Sequence, residues 1–307
     1  MTLADPIPSA RLDDFLARER ARVNRALEEV AREITEFVAL PLREPVRYAL
    51  ATPGKRLRPI LCAAAWRASA GEPDERVYRL ATAVEIVHTY SLVHDDLPSM
   101  DDDALRRGRA TLHVVFGVPR ATLAGAALIP AAVSMLDGAA RALELSRGRR
   151  TRLVGELCRA SGVAGMVGGQ VLDLENEERP TDVAALESIH RRKTGALLAA
   201  SLRIGALAAG AREEVLAALT VYGEDLGLAF QIVDDVLDVT ASAEVLGKTA
   251  GKDESVGKAT YPALFGIEGA RALAASRVEE AISALHAARI ASPELEALAR
   301  FVLERRS

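Results

Sequence analysis

The chain has 307 residues, enough for one large domain or two ordinary ones. Half of them are hydrophobic, only 4 % are aromatic, and alanine and leucine are abundant, which favours helices around a sizeable core. A formal net charge of −4 gives no electrostatic case for nucleic acid as a partner.

Cys62 and Cys158 lie far apart and lack metal-ligand spacing, so they read as buried apolar thiols in a reducing compartment. The first residues, "MTLADPIPSARLDDF", carry acid and proline where a signal peptide has a basic patch and an apolar run. The longest uncharged run, 121–136, contains Pro130 and is too short to cross a bilayer. The expectation is a cytoplasmic protein with no membrane span.

In chain order, helical periodicity comes first over 11–39, where Leu12, Phe15, Leu16, Val23, Leu27, Val30, Ile34 and Phe37 recur every three or four positions. Pro41 and Pro45 interrupt it. Further helices are expected over 58–70, stopped by "AGEP", and over 74–96, 119–145, 150–175, 182–209, 212–239, 260–285 and 293–305. Clean alternation is absent, so no strand is expected. No linker and no repeat divides the chain. "ATLAGAALIPAAVSML" and "TGALLAASL" show little polar face and belong in a bundle interior or against a partner chain. The fold class is therefore all-α: residues 1–307 form one domain, a single large bundle of roughly ten helices.

Two acidic elements break this apolar pattern. "LVHDDLPSMDDDALRRG" packs five aspartates into nine positions, Asp95 to Asp103. Two carboxylates about 6 Å apart repel by about 3 kcal/mol at an effective dielectric of about 20, so a cation or full solvation must hold them. On a continuous helix Asp95 and Asp101 would point about 120° apart. Pro98 breaks the helix and lets a loop return Asp101 toward Asp95. His88 lies on the Asp95 stripe, two turns back. Downstream, "FQIVDDVLDV" puts Gln231, Asp234, Asp235 and Asp238 on one stripe of an apolar helix. All the donors are oxygens, which favours a hard ion such as Mg²⁺. An EF-hand is excluded because its ligand alternation and its Gly and Glu positions are missing.

Mg²⁺ held by few carboxylates commonly bridges to substrate phosphate. Basic groups for that phosphate stand beside glycine or acid: Lys55, Arg56 and Arg58 in "PGKRLRP", Arg106 and Arg107 after the first acidic motif, Lys193 with Thr194 in "HRRKTGA", and Lys248, Lys252 and Lys258 in "GKTAGKDESVGKATYP". None has the strand–loop–helix setting of a nucleotide P-loop.

In order and spacing, "GKRLRP", "LVHDDLPSMDDDALRRG", "HRRKTGAL", "FQIVDDVLD" and "GKATYPAL" resemble the motifs of the trans-isoprenyl diphosphate synthases, or polyprenyl synthetases, over about residues 50–270. Within that family the likeness is nearest to the bacterial type of farnesyl diphosphate synthase, which also has two extra residues in the first aspartate motif. Pro53 departs from the usual Gly. The resemblance implies an isoprenoid-synthase fold, with ten or more helices around a central cavity, and a homodimer. It implies that Asp95, Asp101 and Asp234 bind Mg²⁺, three ions per site, gripping an allylic diphosphate with Arg106, Lys248 and Lys258. It implies that Lys55, Arg58, His88 and Arg107 receive isopentenyl diphosphate, and that Lys193, Thr194 and Gln231 lie by the allylic carbon. It also implies that Tyr90, five positions before Asp95, limits product length together with Ser91. A tyrosine there points to a C15 product; a small residue would point to C20 or longer. A terpene cyclase would normally carry only one Asp-rich motif, and a regulatory subunit would lack one of the aspartate or arginine motifs.

Overall fold

The computed structural model describes residues 9–176, 182–240 and 260–305. Thirteen α-helices order the described residues: α1 (Ser9–Phe37), α2 (Leu40–Leu50), α3 (Leu57–Ala70), α4 (Glu75–Asp95), α5 (Leu112–Phe116), α6 (Val118–Ala142), α7 (Arg147–Ser161), α8 (Met166–Glu175), α9 (Val183–His190), α10 (Ala196–Ala209), α11 (Glu213–Thr240), α12 (Tyr261–Ala287) and α13 (Pro293–Glu304). The fold class is all-α.

The largely apolar stretch at 196–209 forms the innermost helix. From Leu197 to Ala208 every residue of α10 is buried except Arg203, and it packs on α3, α7 and α11. Alanine makes this possible: Ala63, Ala64 and Ala65 on α3 let the backbones approach closely. Two further pairings, α4 with α6 and α11 with α12, extend the bundle. They carry the two acidic motifs at their ends.

Several boundaries differ from the periodicity reading. Pro41 and Pro45 do not end helical structure but lie inside α2, with Pro41 in its first turn, where a missing N–H costs nothing. Phe37 continues the apolar stripe of α1 in sequence yet stands 84 % exposed beyond its last buried turn, and of the two thiols expected to be buried Cys62 is, whereas Cys158 on α7 is exposed. The helix expected over 150–175 breaks at Gly162–Gly165 into α7 and α8. The span 182–209 stays helical by inserting one π turn, Arg191–Gly195. α12 kinks at Gly266, whose φ of 71° is glycine's territory. A two-residue hairpin, β1 (Leu105–Arg106) and β2 (Arg109–Ala110), appears where no strand was expected. Arg107 and Gly108 both have positive φ, the mark of a type I′ turn.

By length and hydropathy α6 and α11 would each reach across a bilayer, whereas the uncharged run alone did not. α11 buries 61 % of its most apolar window inside the fold and α6 only 39 %.

Charge also enters this core. Glu19 on α1 is fully buried, accepts the Tyr78 hydroxyl at 2.7 Å and lies 3.1 Å from Arg67. This ties α1 to α3 and α4. Removing one member of such a buried network leaves its partners desolvated. Glu19→Ala should lower the unfolding free energy by about 3 kcal/mol in urea titrations at neutral pH, with Glu19→Gln losing clearly less.

Candidate active site

The functional side chains gather where α3 begins, α4 ends and α11 runs past them. α4 ends at Asp95, and Pro98 stops further helix. The loop folds back so that the Asp101 amide donates to the Asp95 carbonyl at 2.8 Å. The expected return of Asp101 is thus made by the backbone. Asp95 is pushed up to about 6, chiefly by burial, with Asp101 and Asp96 adding repulsion against the pull of Lys193.

The adjacent arginines separate. The I′ turn between β1 and β2 sends Arg106 back onto Asp96, at 2.8 and 2.5 Å, and onto Asp103 at 3.0 Å. It sends Arg107 to the Pro53 carbonyl at 2.6 Å. Asp96 is buried, and Arg106 is its counter-charge. Asp96 and Asp103 therefore hold an arginine.

At the start of α3, Arg56 takes the left-handed conformation, φ 55°, and its side chain enters the core. It meets Glu85 at 2.8 Å, Asn24 at 3.0 Å and the Thr52 carbonyl at 2.9 Å. Arg58 is different. Its Nε is shielded from solvent with no hydrogen-bond partner, and burial pushes its pKa down to about 10. Partial burial, and then the Arg305 charge, push Lys55 down to about 8. His88 is held neutral, well below its ordinary value, by burial and by the charges of Arg58, Arg107, Arg56 and Arg106. Cations crowded this way form an anion site.

The second acidic stripe divides its work. Asp235 accepts the Tyr261 amide at the start of α12 at 3.1 Å and the Gln231 side chain at 3.3 Å. The Gln231 carbonyl accepts the Thr194 hydroxyl at 3.1 Å. Asp234 lies 2.9 Å from Arg305, whose guanidinium covers the Phe230 ring at 3.9 Å. The π turn places Lys193 against Asp173 of α8 at 2.6 Å. The two backbones touch there: a Cβ on Gly169 would come within 2.3 Å of the Lys193 nitrogen. Tyr90 meets His94 edge to face, and Ser91 bonds back to the His88 carbonyl at 2.9 Å.

Residues 40–293 match the family model described as polyprenyl synthetase. The chain belongs to the polyprenyl synthetase family. It is 48 % identical to the dimethylallyltranstransferase of Fischerella ambigua, over 88 % of this chain and 77 % of that one. It is 44 % identical to the farnesyl diphosphate synthase of Escherichia coli, over 95 % and 99 %. Its fold superposes with a TM-score of 0.82, at 29 % identity, on a Caulobacter crescentus polyprenyl synthase solved with calcium and isoprenyl diphosphate, covering 96 % and 98 %.

For a polyprenyl synthetase the arrangement has two faces. Asp95, Asp101 and Asp234 are hard oxygen donors. A half-buried carboxylate with its pKa raised, beside a second carboxylate, fits a divalent cation. Among the described residues no three acidic, His or Cys groups stand close enough to hold an ion unaided. Opposite them stand Arg58, His88, Arg107 and Lys55. Lys248 and Lys258 lie outside the described residues. Sequence reasoning left without a role Asp96, Asp103, Glu85, Asp173 and Arg305. Each partners a residue already singled out; Asp103 stands three positions from Arg106, but no spacing rule connects the other pairs.

His190, at the end of α9, is buried beside the Tyr261 ring at 5.7 Å, and neither of its ring nitrogens has a hydrogen-bond partner. Burial pushes it from 6.5 to about 4, with Asp173 opposing and Lys193 adding. The unfolded chain therefore takes up this proton at a higher pH than the fold does. Stability is lost as pH falls from about 6.5 toward 4. Relative to His190→Leu, the wild type should lose about 2 kcal/mol of unfolding free energy between pH 7 and pH 4.5, read from denaturant melts at each pH.

Proposed function

We propose that this chain joins isopentenyl diphosphate to dimethylallyl and geranyl diphosphates to make farnesyl diphosphate. The observation that carries this reading is the pairing of two acidic motifs, at the ends of α4 and α11, with a desolvated cluster of arginines and a neutral histidine at the start of α3 and along α4. Such a site is suited to two diphosphates, one held by metal and one by guanidinium groups.

In this reading Asp95, Asp101 and Asp234 hold Mg²⁺, three ions per site. When bound, the ions neutralise the departing diphosphate and lower the barrier to its departure. Arg106, aimed by Asp96 and Asp103, binds the allylic diphosphate, and the family resemblance adds Lys248 and Lys258 to that role and sets Lys193 near the allylic carbon. Asp234 pairs with Arg305, and a metal ion held by Asp234 would compete with that pair. Arg58, Lys55 and Arg107 bind the isopentenyl diphosphate. His88, kept neutral, adds a hydrogen bond without adding to the crowded positive charge. The Thr194 and Gln231 oxygens present their dipoles to the allylic carbon where positive charge develops. Asp235 fixes Gln231, and through it Thr194, in that orientation. The alkene of isopentenyl diphosphate attacks, a new carbon–carbon bond forms, and a proton passes to the released diphosphate. The apolar helices keep water from that carbon.

Tyr90 ends growth at C15. Purified protein with isopentenyl diphosphate, either allylic primer and Mg²⁺ should yield the C15 diphosphate by mass spectrometry, and Tyr90→Ala should lengthen it. A C20 product from the wild type would favour a geranylgeranyl synthase. A cyclised hydrocarbon would favour a terpene cyclase, and no product from folded protein a regulatory subunit.

The working unit in this reading is a homodimer. Val114 and Val115 on α5 and Val118 and Leu123 on α6 are all exposed, and the apolar window of α6 is less buried than that of α11. A second copy of the chain covering this face would remove that surface from water. Light scattering should give twice the chain mass, and Val115→Glu with Leu123→Glu should halve it.

A further inference from the structure

A single tyrosine is a weak stop. Its ring turns about two side-chain bonds, and an isoprene unit entering an apolar site gains from burial. A free ring would swing aside, so something must hold Tyr90.

The holding group is its neighbour one helical turn on. Tyr90 and His94 share a stripe of α4, and their rings meet edge to face, centroids 4.7 Å apart at 66°. The far side of the His94 ring is anchored as well: Nε2 lies 3.0 Å from the Thr122 carbonyl of α6. A carbonyl only accepts, so Nε2 carries the hydrogen. The ring sits in a notch on α6 that exists because residue 125 is glycine. A Cβ there would lie 2.4 Å from both Cδ2 and Nε2 of His94 and 3.3 Å from Val93 Cγ1. Tyr90, His94 and Gly125 thus form one stack spanning the α4–α6 contact, with the aspartate motif starting immediately after it.

We propose that His94, seated in the Gly125 notch of α6, is a positioning residue that fixes the Tyr90 ring and so sets the length of product released. It acts only through Tyr90, and it rests on the reading of Tyr90 as the residue that ends growth. It also separates the contribution of α6 to product length from that of α4, although Gly125 carries no side chain to meet a substrate.

The test compares products of wild type, Tyr90→Ala, His94→Ala, His94→Phe, Gly125→Ala and the Tyr90→Ala/His94→Ala pair. Each receives isopentenyl and geranyl diphosphates with Mg²⁺, and folding is checked by circular dichroism and thermal melting. His94→Ala should raise the ratio of C20 to C15 product at least tenfold. Gly125→Ala should move it the same way, because the added methyl would push the His94 ring out of its seat. His94→Phe keeps a ring in the notch and should return the ratio toward wild type. The double variant should go no further than Tyr90→Ala alone. If Tyr90→Ala lengthens the product while folded His94→Ala and Gly125→Ala leave it unchanged, the clamp is overturned and the role of Tyr90 stands. Additive effects in the double variant overturn it too, since His94 would then act independently. If Tyr90→Ala itself changes nothing, the length reading falls and takes the clamp with it.

Discussion

Like charge held together is the condition on which this molecule rests. Asp95 and Asp101 approach each other at the end of α4, and Arg56, Arg58, Arg106 and Arg107 all press their charge on His88. Water would keep such groups apart. Here the helices hold them, and their packing supplies the free energy that repulsion takes away. The internal pairs limit the damage. Arg56 is neutralised by Glu85, and Arg106 by Asp96 and Asp103. Arg58 keeps a shielded Nε with no partner, so the charge left over is concentrated where a diphosphate can use it.

Departures from regular helix do the positioning. Pro98 ends α4 and turns Asp101 back. The I′ turn at Arg107–Gly108 points two adjacent arginines at different partners. The π turn at Arg191–Gly195 brings Lys193 onto Asp173, and such single turns recur at functional sites. The kink at Gly266 follows the first turn of α12, whose leading amide is capped by Asp235. The loop after α4, the I′ turn and the π turn each stand beside a residue of the site. The regular elements, α3 and α10 above all, are alanine-rich and closely packed, and they give the distortions a rigid frame.

The chain itself determined a good deal. Helical period and the absence of alternation specify an all-α bundle, because burying one stripe per helix leaves few other solutions. The DDLPSMDDD and VDDVLD elements mark two acidic poles, because aspartates on apolar helices have no solvated alternative. Local signals were also legible in pieces: Pro98 as a stop, and the loop returning Asp101. Other features were not legible, because they depend on surroundings. Proline at 41 reads as a breaker until it is known to open a helix. Phe37 lies on the apolar stripe, but the stripe outlasts its partner surface.

Only the tertiary structure decided which charges neutralise each other. Arg106 and Arg107 are neighbours in sequence, yet one meets Asp96 and the other the Pro53 carbonyl. Asp234 and Asp235 are also neighbours, yet one meets Arg305 and the other the amide of Tyr261. Sequence spacing reports which side chains share a helix face. It does not report what lies across a gap of a few ångströms from a distant helix, and Coulomb energy at these sites is governed by that gap and by the exclusion of water from it.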